Sequence, residues 1–351
     1  MLFIPHKHLY ISDASYISSD EPDYKEVITD ANSRRRMGRL LKMAVWCGLK
    51  SLDGVPSERV AGIITSTGAG FMKDTISFGS SIFDREETLL NPSPFMQSTF
   101  NTASGYIALI RKIHAYNTTY VQQADGLAAS LVDAAMLLDD AGEWNVALVG
   151  AFDEVTPEVD VIRQRLGLYR VVDGFLPLGE GAAAFLLSAA MPTDVSESCR
   201  ATESSTGLSG DEAGSESDSV QSCDEAGSES ASRPCDESGS ESSSEPLHEY
   251  GGTSSRSLNS TKDGNATLRF CGLANLSDLP KCAENPIAEL FGINAGVNVI
   301  SCADHVEFLG AFRSLLPVLL CKLISEQKIP DGYTAIADDV NEDGVIVLLH
   351  K

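Results

Sequence analysis

The feature that most constrains this chain is a strand, a sharp turn and a helix in immediate succession over residues 116–138, set inside a longer run from 91 to 154. Tyr116-Asn117-Thr118-Thr119-Tyr120-Val121 reads as a buried strand and Asp125 falls on the turn. Leu127, Leu131, Ala134 and Leu138 then recur at helical spacing before a second apolar strand over 146–150. A side chain on such an elbow is held in the open, and the free N–H groups and dipole of the following helix stabilise negative charge beside it. A thiol placed there would be acidified and reactive. Here the position carries a carboxylate, which the helix start keeps charged, a state suited to capping and poor for nucleophilic attack. The plain expectation for Asp125 is a helix N-cap.

Around this stretch the pattern alternates between helix and buried strand. Leu9-Tyr10-Ile11 predicts a first strand, and Met37, Leu40, Leu41, Ala44 and Gly48 share one face of a helix entered through Arg34-Arg35-Arg36, read either as a solvated first turn or as an anion contact. Residues 60–65 predict a strand buried on both faces, followed by a tight turn at Gly68-Ala69-Gly70. A lone Gly-x-Gly without the longer dinucleotide spacing gives no reason to expect a cofactor. Asp153-Glu154, after the second apolar strand, reads as a loop-ordering pair or as paired acid–base carboxylates. A glycine turn at Gly179-Glu180-Gly181 feeds a further strand, and strands are also expected at 267–273, 297–302, 333–337 and 344–350, with a helix over 305–324 burying Phe308, Phe312, Leu316, Leu319 and Leu320. The alternation predicts an α/β sheet covered on both faces.

Composition breaks this pattern once. Asp-Glu-Ala-Gly-Ser-Glu-Ser occurs at 211 and 224, with a variant at 236, and residues 191–260 hold fifteen Asp or Glu against three Arg, half of the formal charge of −24. Such acidic, serine-rich repeats bury too little apolar surface to offset chain entropy, so disorder is expected, as a tolerated surface insertion or as a phosphorylated contact. The rest is moderately acidic, which excludes a phosphate-binding nucleic-acid surface. Residues 1–13 show no secretory signal, and the longest apolar stretch, 315–324, is broken by Lys322 and falls short of the roughly 18 residues of a membrane span, so a cytosolic protein is expected. Eight cysteines without a close CxxC pair predict free thiols and no zinc.

Laid in order, these pieces resemble the β-ketoacyl synthase branch of the thiolase-fold superfamily, and within it the short synthase-like proteins of bacterial aryl-polyene and related pigment or lipid pathways. The resemblance is carried by Arg35-Arg36-Met37 with Lys42-Met43, Thr67-Gly68-Ala69-Gly70, the string from Asn91-Pro92-Ser93-Pro94-Phe95 to Asn101-Thr102, Tyr116-Asn117 with Thr119-Tyr120-Val121, Val149-Gly150 with Asp153-Glu154, and Gly179-Glu180-Gly181-Ala182. It covers about residues 8–190. It implies a layered αβαβα fold with mixed sheets and a shortened C-terminal half: 1–190 as the N-terminal half, 191–265 as the acidic insertion and 266–351 as the C-terminal part.

Synthases of this fold condense acyl chains through a Cys at the elbow, assisted by two His, or a His and an Asn, from the second half. Counting forward from Asn117 or backward from Gly150 and Asp153, the Cys-equivalent position is Asp125, and no Cys lies between Cys47 and Cys199. No His occurs between 266 and 300, the lysine expected upstream of the second motif is absent, and His305 in Asp304-His305-Val306-Glu307 falls near that motif. The resemblance therefore implies a non-catalytic subunit, similar to a chain length factor, that pairs with a true ketoacyl synthase. Residues 97–102 and 118–122 would lie at the contact, and an acyl carrier protein would be a further partner, with Arg34–Arg36, Arg111-Lys112 and Arg163–Arg165 as basic candidates or as ordinary solvated residues. The alternative is a divergent acyltransferase or malonyl decarboxylase working without Cys through His305 and backbone donors at the elbow.

Overall fold

The computed structural model describes residues 2–18, 20–122, 125–142, 145–165, 170–171, 174–175, 179–190, 267–305, 313–339 and 344–351. The expected disorder of 191–265, and Phe308 and Phe312, lie outside the described residues.

Strands with no polar alternation set the architecture. β4 (Val146–Asp153) and β7 (Gly181–Ser188) are buried along their whole length, so both faces of their sheet must be covered. With β1 (Leu9–Ile17), β2 (Val60–Thr67), β3 (Tyr116–Val121), β8 (Arg269–Asn275), β9 (Val297–Ser301), β10 (Tyr333–Ala337) and β11 (Val345–His350) they form a nine-stranded mixed sheet in the order β3-β2-β4-β7-β1-β8-β11-β10-β9. β2 runs parallel to both β3 and β4, β7 is antiparallel to β4 and β1, and the C-terminal strands repeat the scheme, with β9 parallel to β10 and β11 antiparallel to β10 and β8. The halves meet where Leu9 and Tyr10 of β1 pair with Phe270 and Arg269 of β8. After α7 (Pro157–Arg165), a separate two-stranded ribbon joins β5 (Arg170–Val171) to β6 (Gly174–Phe175).

Alternate side chains sort into layers. α2 (Arg39–Ser51) and α5 (Thr102–Arg111) cover Ile63, Leu148, Ala184 and Leu186 on the outer side of the N-terminal half-sheet. α6 (Gly126–Asp140) and α9 (Leu316–Ser325) cover Ile64, Val149, Phe185 and Leu187, and the same core takes in Ile336, Val347 and Leu349 of the C-terminal half-sheet. α8 (Pro286–Phe291) closes the far side over Ala335, Ala337, Ile346 and Leu348. The result is the expected αβαβα layering, each fully buried Leu, Ile or Phe contributing about 1.5–3 kcal/mol.

Four expectations need correction. The single helix through Met37 is two, α1 (Ala31–Arg36) and α2, because the buried Gln97 amide accepts from Gly38 N at 2.8 Å and donates to Arg36 O, holding the chain extended between them. The first strand is longer than three residues and carries a bulge at Asp13, whose φ is +41°. β3 is an edge strand, not a buried one: none of its six residues is fully buried, and its polar side chains fix α5 and β2, with Asn117 Nδ2 donating to Ser104 O at 3.1 Å and the Thr119 hydroxyl 3.3 Å from that of Ser104 and 2.8 Å from that of Thr65 on β2. His305 does not begin a helix. It ends a 3-10 turn, Cys302–His305, and the helix containing Leu316, Leu319 and Leu320 starts after a second 3-10 turn, Arg313–Leu315.

Candidate functional site

The parallel strands β2, β3 and β4 end together, and the loops that leave those ends build the site. Leaving β3, Gln122 N donates to Thr67 O at 3.1 Å, which ties the exit from β3 to the end of β2. Asp125 then stands at the N-cap position of α6, exposed, with φ −85° and ψ −5°. Its backbone carbonyl accepts from Ala129 N at 2.9 Å, but its carboxylate caps nothing. The expected side-chain cap is therefore absent, because Asp125 has helical rather than extended backbone angles and a cap needs the extended form. Gly126 follows by necessity: a Cβ there would lie 2.9 Å from Ser66 Cβ, so only glycine lets α6 start this close to the sheet.

Beside the elbow lies a buried carboxylate that does have partners. Asp153, at the end of β4, is fully buried and accepts from Thr67 Oγ1 at 3.0 Å, Gly68 N at 2.8 Å and Ala69 N at 2.8 Å, and also from Ser314 Oγ. Thr67 Oγ1 in turn accepts from Gly70 N at 2.7 Å. Gly70 has φ +71°, and a side chain there would run into the Phe100 ring. Burial pushes the Asp153 carboxyl above its ordinary range while its four donors oppose the shift. Glu154 accepts from Lys73 N at 2.8 Å and so caps α3 (Met72–Asp84); burial raises its carboxyl as well. Of the two sequence readings, Asp153-Glu154 takes the loop-ordering one. What the sequence did not signal is the reach of Asp153 to Ser314, a residue 161 positions away.

His305 is half-buried at the end of its 3-10 turn, which Asp339 holds by accepting from Ser301 Oγ at 2.6 Å and Ala303 N at 3.0 Å. Among the described residues no hydrogen bond or ion pair joins His305 to Asp125. Chemically, the arrangement offers an open carboxylate at a helix start and a hydrogen-bonded carboxylate buried beside it. Among the described cysteines, Cys47 and Cys321 are fully buried and donate to Ala182 O and Ala184 O, and burial pushes both thiols up.

Two surfaces of the described residues stand out. One is apolar and runs from α4 (Pro92–Ser98) past β3, with Phe95, Met96, Phe100, Leu109, Tyr116 and Val121 exposed. α3, which packs on α4 through Phe78 and Phe95, has no buried residue. Of the residues expected at a contact, Gln97 is turned inward, while Phe100, Val121 and Gln122 are exposed. The other is a cleft of about 470 Å³ lined by Lys25, Arg34, Arg35 and Lys42, with Asp23 and Tyr24. Arg34 is partly committed to Thr29 O at 3.3 Å and to Ile28 O. Arg111 donates to Val55 O, and the side chain of Arg163 lies outside the described residues. No helix among the described residues is long and apolar enough to cross a membrane.

Three solved structures are similar across nearly the whole chain. The ishigamide ketosynthase/chain length factor matches with a TM-score of 0.58 at 12% identity, covering 97% of this chain and 98% of that one. AntDE:AntF, a type II PKS acyl-carrier protein in complex with its ketosynthase bound to the hexaketide, matches with a TM-score of 0.57 at 14% identity, covering 98% and 99%. A β-ketoacyl synthase from Burkholderia phymatum STM815 matches with a TM-score of 0.57 at 10% identity, covering 98% of each chain. At such identities the likeness shows the fold. None of the curated proteins matches the sequence. Residues 13–226, more than half of the chain, match the family described as beta-ketoacyl synthase, N-terminal domain, and the chain, with its elbow, its Thr67–Gly70 loop and its layered sheet, belongs to the β-ketoacyl synthase family.

Proposed function

We propose that this chain is a non-catalytic, cytoplasmic subunit of chain-length-factor type, which pairs with a Cys-bearing β-ketoacyl synthase in fatty-acid, polyene or polyketide-type biosynthesis. The observation that carries the reading is the start of α6: Gly126 seats the helix against Ser66, and the residue before it, which by count takes the place where a catalytic synthase presents sulfur, is the exposed Asp125. A carboxylate is a weak nucleophile toward a thioester, and acyl-Asp would be a reactive anhydride rather than a stored intermediate. What the scaffold still offers is surface. Among the described residues no strand pairs with the outer side of β3, which lies beside an exposed apolar strip, the form of an edge awaiting a strand. The cleft with Lys25, Arg34, Arg35 and Lys42 supports an acidic acyl carrier protein as the further partner. Nothing among the described residues holds His305 at the elbow, which leaves the decarboxylase reading without support.

Co-expression with a Cys-containing synthase tests the proposal. A 1:1 complex that elongates acyl chains, with all covalent acyl label on the synthase, is the expected result. Acyl label on this chain when purified alone, or carbon dioxide released by it from a malonyl carrier protein, would overturn it.

A further inference from the structure

The charge of the β3 edge bears on which subunit can sit against it, and this inference rests on the reading above that the chain pairs through β3. Two copies joined antiparallel through one edge strand are related by a twofold axis perpendicular to the sheet, which keeps each helix layer on its own side. Self-pairing through β3 would therefore bring α6 toward the α6 of a second copy.

α6 is poorly suited to that meeting. β3 and α6 contain Asp133, Asp139 and Asp140, with Asp125 at the α6 N-cap, and no Lys or Arg. Tyr116 and Tyr120 of β3 both donate to the same oxygen of Asp133, Oδ2, at 3.0 and 3.1 Å. That leaves Oδ1 without a hydrogen bond among the described residues and fixes the charge beside the edge. Asp140 lies two turns further along the same side of α6, and Met136 between them is 61% exposed. The neighbouring cations are engaged or belong to another layer. Lys7 Nζ donates to the carbonyls of Leu138 and Asp139, at 3.0 and 2.6 Å, Arg111 donates to Val55 O, and Lys112 follows α5 on the opposite face of the sheet.

We propose that the β3–α6 edge disfavours a second copy of this chain and selects a subunit of the same fold whose counterpart of α6 carries Lys or Arg. Like charges set against each other across a twofold penalise the homodimer, and opposite charges both speed and hold the heteromeric pair.

The test needs no natural partner, because the chain can be made into its own basic counterpart. The full-length protein and its Asp133→Lys/Asp140→Lys double variant are run separately and as an equimolar mixture by sedimentation velocity at low salt. The expected result is that each alone is monomeric, while the mixture forms a 1:1 dimer at least about tenfold tighter than either self-association and loses it at high salt, where charges are screened within a few ångströms. Wild-type protein that dimerises as tightly as the mixture, or a mixture no tighter than its components, would overturn the proposal. Because lysine at 133 deprives two tyrosine hydroxyls of their acceptor, the Asp133→Asn/Asp140→Asn variant keeps the hydrogen bonds and removes the charge. It is expected to self-associate more tightly than wild type, and unchanged self-association would count against the inference. A synthase that co-purifies regardless of salt and of these substitutions would leave the subunit role standing and remove the charge rule, whereas a mixture that pairs while no synthase is captured would do the reverse.

Discussion

The two halves of this molecule follow one plan to different lengths. β1, β2, β4 and β7 in the first half and β8, β9, β10 and β11 in the second share neighbours and strand directions, meeting at the β1–β8 seam. They part after the second strand of each set. Residues 68–145 intervene between β2 and β4 and supply four helices, a further parallel strand and the elbow, whereas only residues 302–332 separate β9 from β10, and no counterpart of β3 stands among the described residues. The half that keeps the extra strand keeps the elbow and a helix-flanked edge; the half that lacks it supplies core and, through Ser314, a tether to Asp153. Sheet packing here depends on strands common to both halves, while the candidate site depends on what is inserted between them.

The most direct way to break this contrast is at Asp153, the point where the first half grips the second. Asp153→Ala leaves the Thr67 and Ser314 hydroxyls and two backbone N–H groups buried without their acceptor, an expected loss of about 3–5 kcal/mol. Guanidinium unfolding measures it, and a loss under about 1 kcal/mol would mean that the tether is dispensable.

A smaller effect is expected at the seam strand. Burial, and then the Asp53 carboxylate, push the Asp13 carboxyl up to about 7, with Lys50 opposing. Its folded value lies above its unfolded one, so the native state holds an extra proton between them. The contribution is complete below about pH 4 and is lost as pH rises through about 7. Asp13→Asn, which tolerates the positive φ, should flatten that decline and raise stability at pH 8 by about 1–2 kcal/mol, less than full linkage because the side chain keeps some contact with solvent. Melting curves from pH 4 to 8 check it; wild-type and variant curves that stay parallel would contradict it.

The smallest effect sharpens the comparison at the elbow. Asp125 caps nothing, so Asp125→Cys should change stability by under about 0.5 kcal/mol. The new thiol should add one equivalent of rapid maleimide labelling in the native state, while buried Cys47 and Cys321 stay protected until unfolding. It should also yield no condensation product, since the shortened half brings no histidine pair to meet it. Turnover on this single substitution would show that the second half is catalytically complete.

Legibility in the sequence followed the same division. Strands such as β4, β7 and β11 were readable because uninterrupted apolar runs have one interpretation in a sheet covered on both sides. β3 misled because Asn117 and Thr119 look like the polar residues of any strand, and only the partners they find on α5 reveal an edge. The break between α1 and α2 was invisible, since it is imposed by the Gln97 amide from a helix some sixty residues later. Asp125 was legible as the residue that precedes α6, but its failure to cap depends on backbone angles that residue identity does not determine. Asp153 was legible as a loop-former and illegible as a link between halves, because that role needs Ser314 brought from the far end of the chain.

One consequence follows from the seam. Tyr10 pairs with Ser188 on one side and with Arg269 on the other, so the strand that leads into residues 191–266 and the strand that follows them flank a single residue, about 10 Å apart. Anchors that close can be bridged by a handful of residues or by scores of them, with each doubling of the bridge costing only about 0.6 kcal/mol. The junction is therefore a natural docking port in the engineering sense: a fluorescent reporter or a carrier domain grafted there would hang from two fixed posts without disturbing the register of either half.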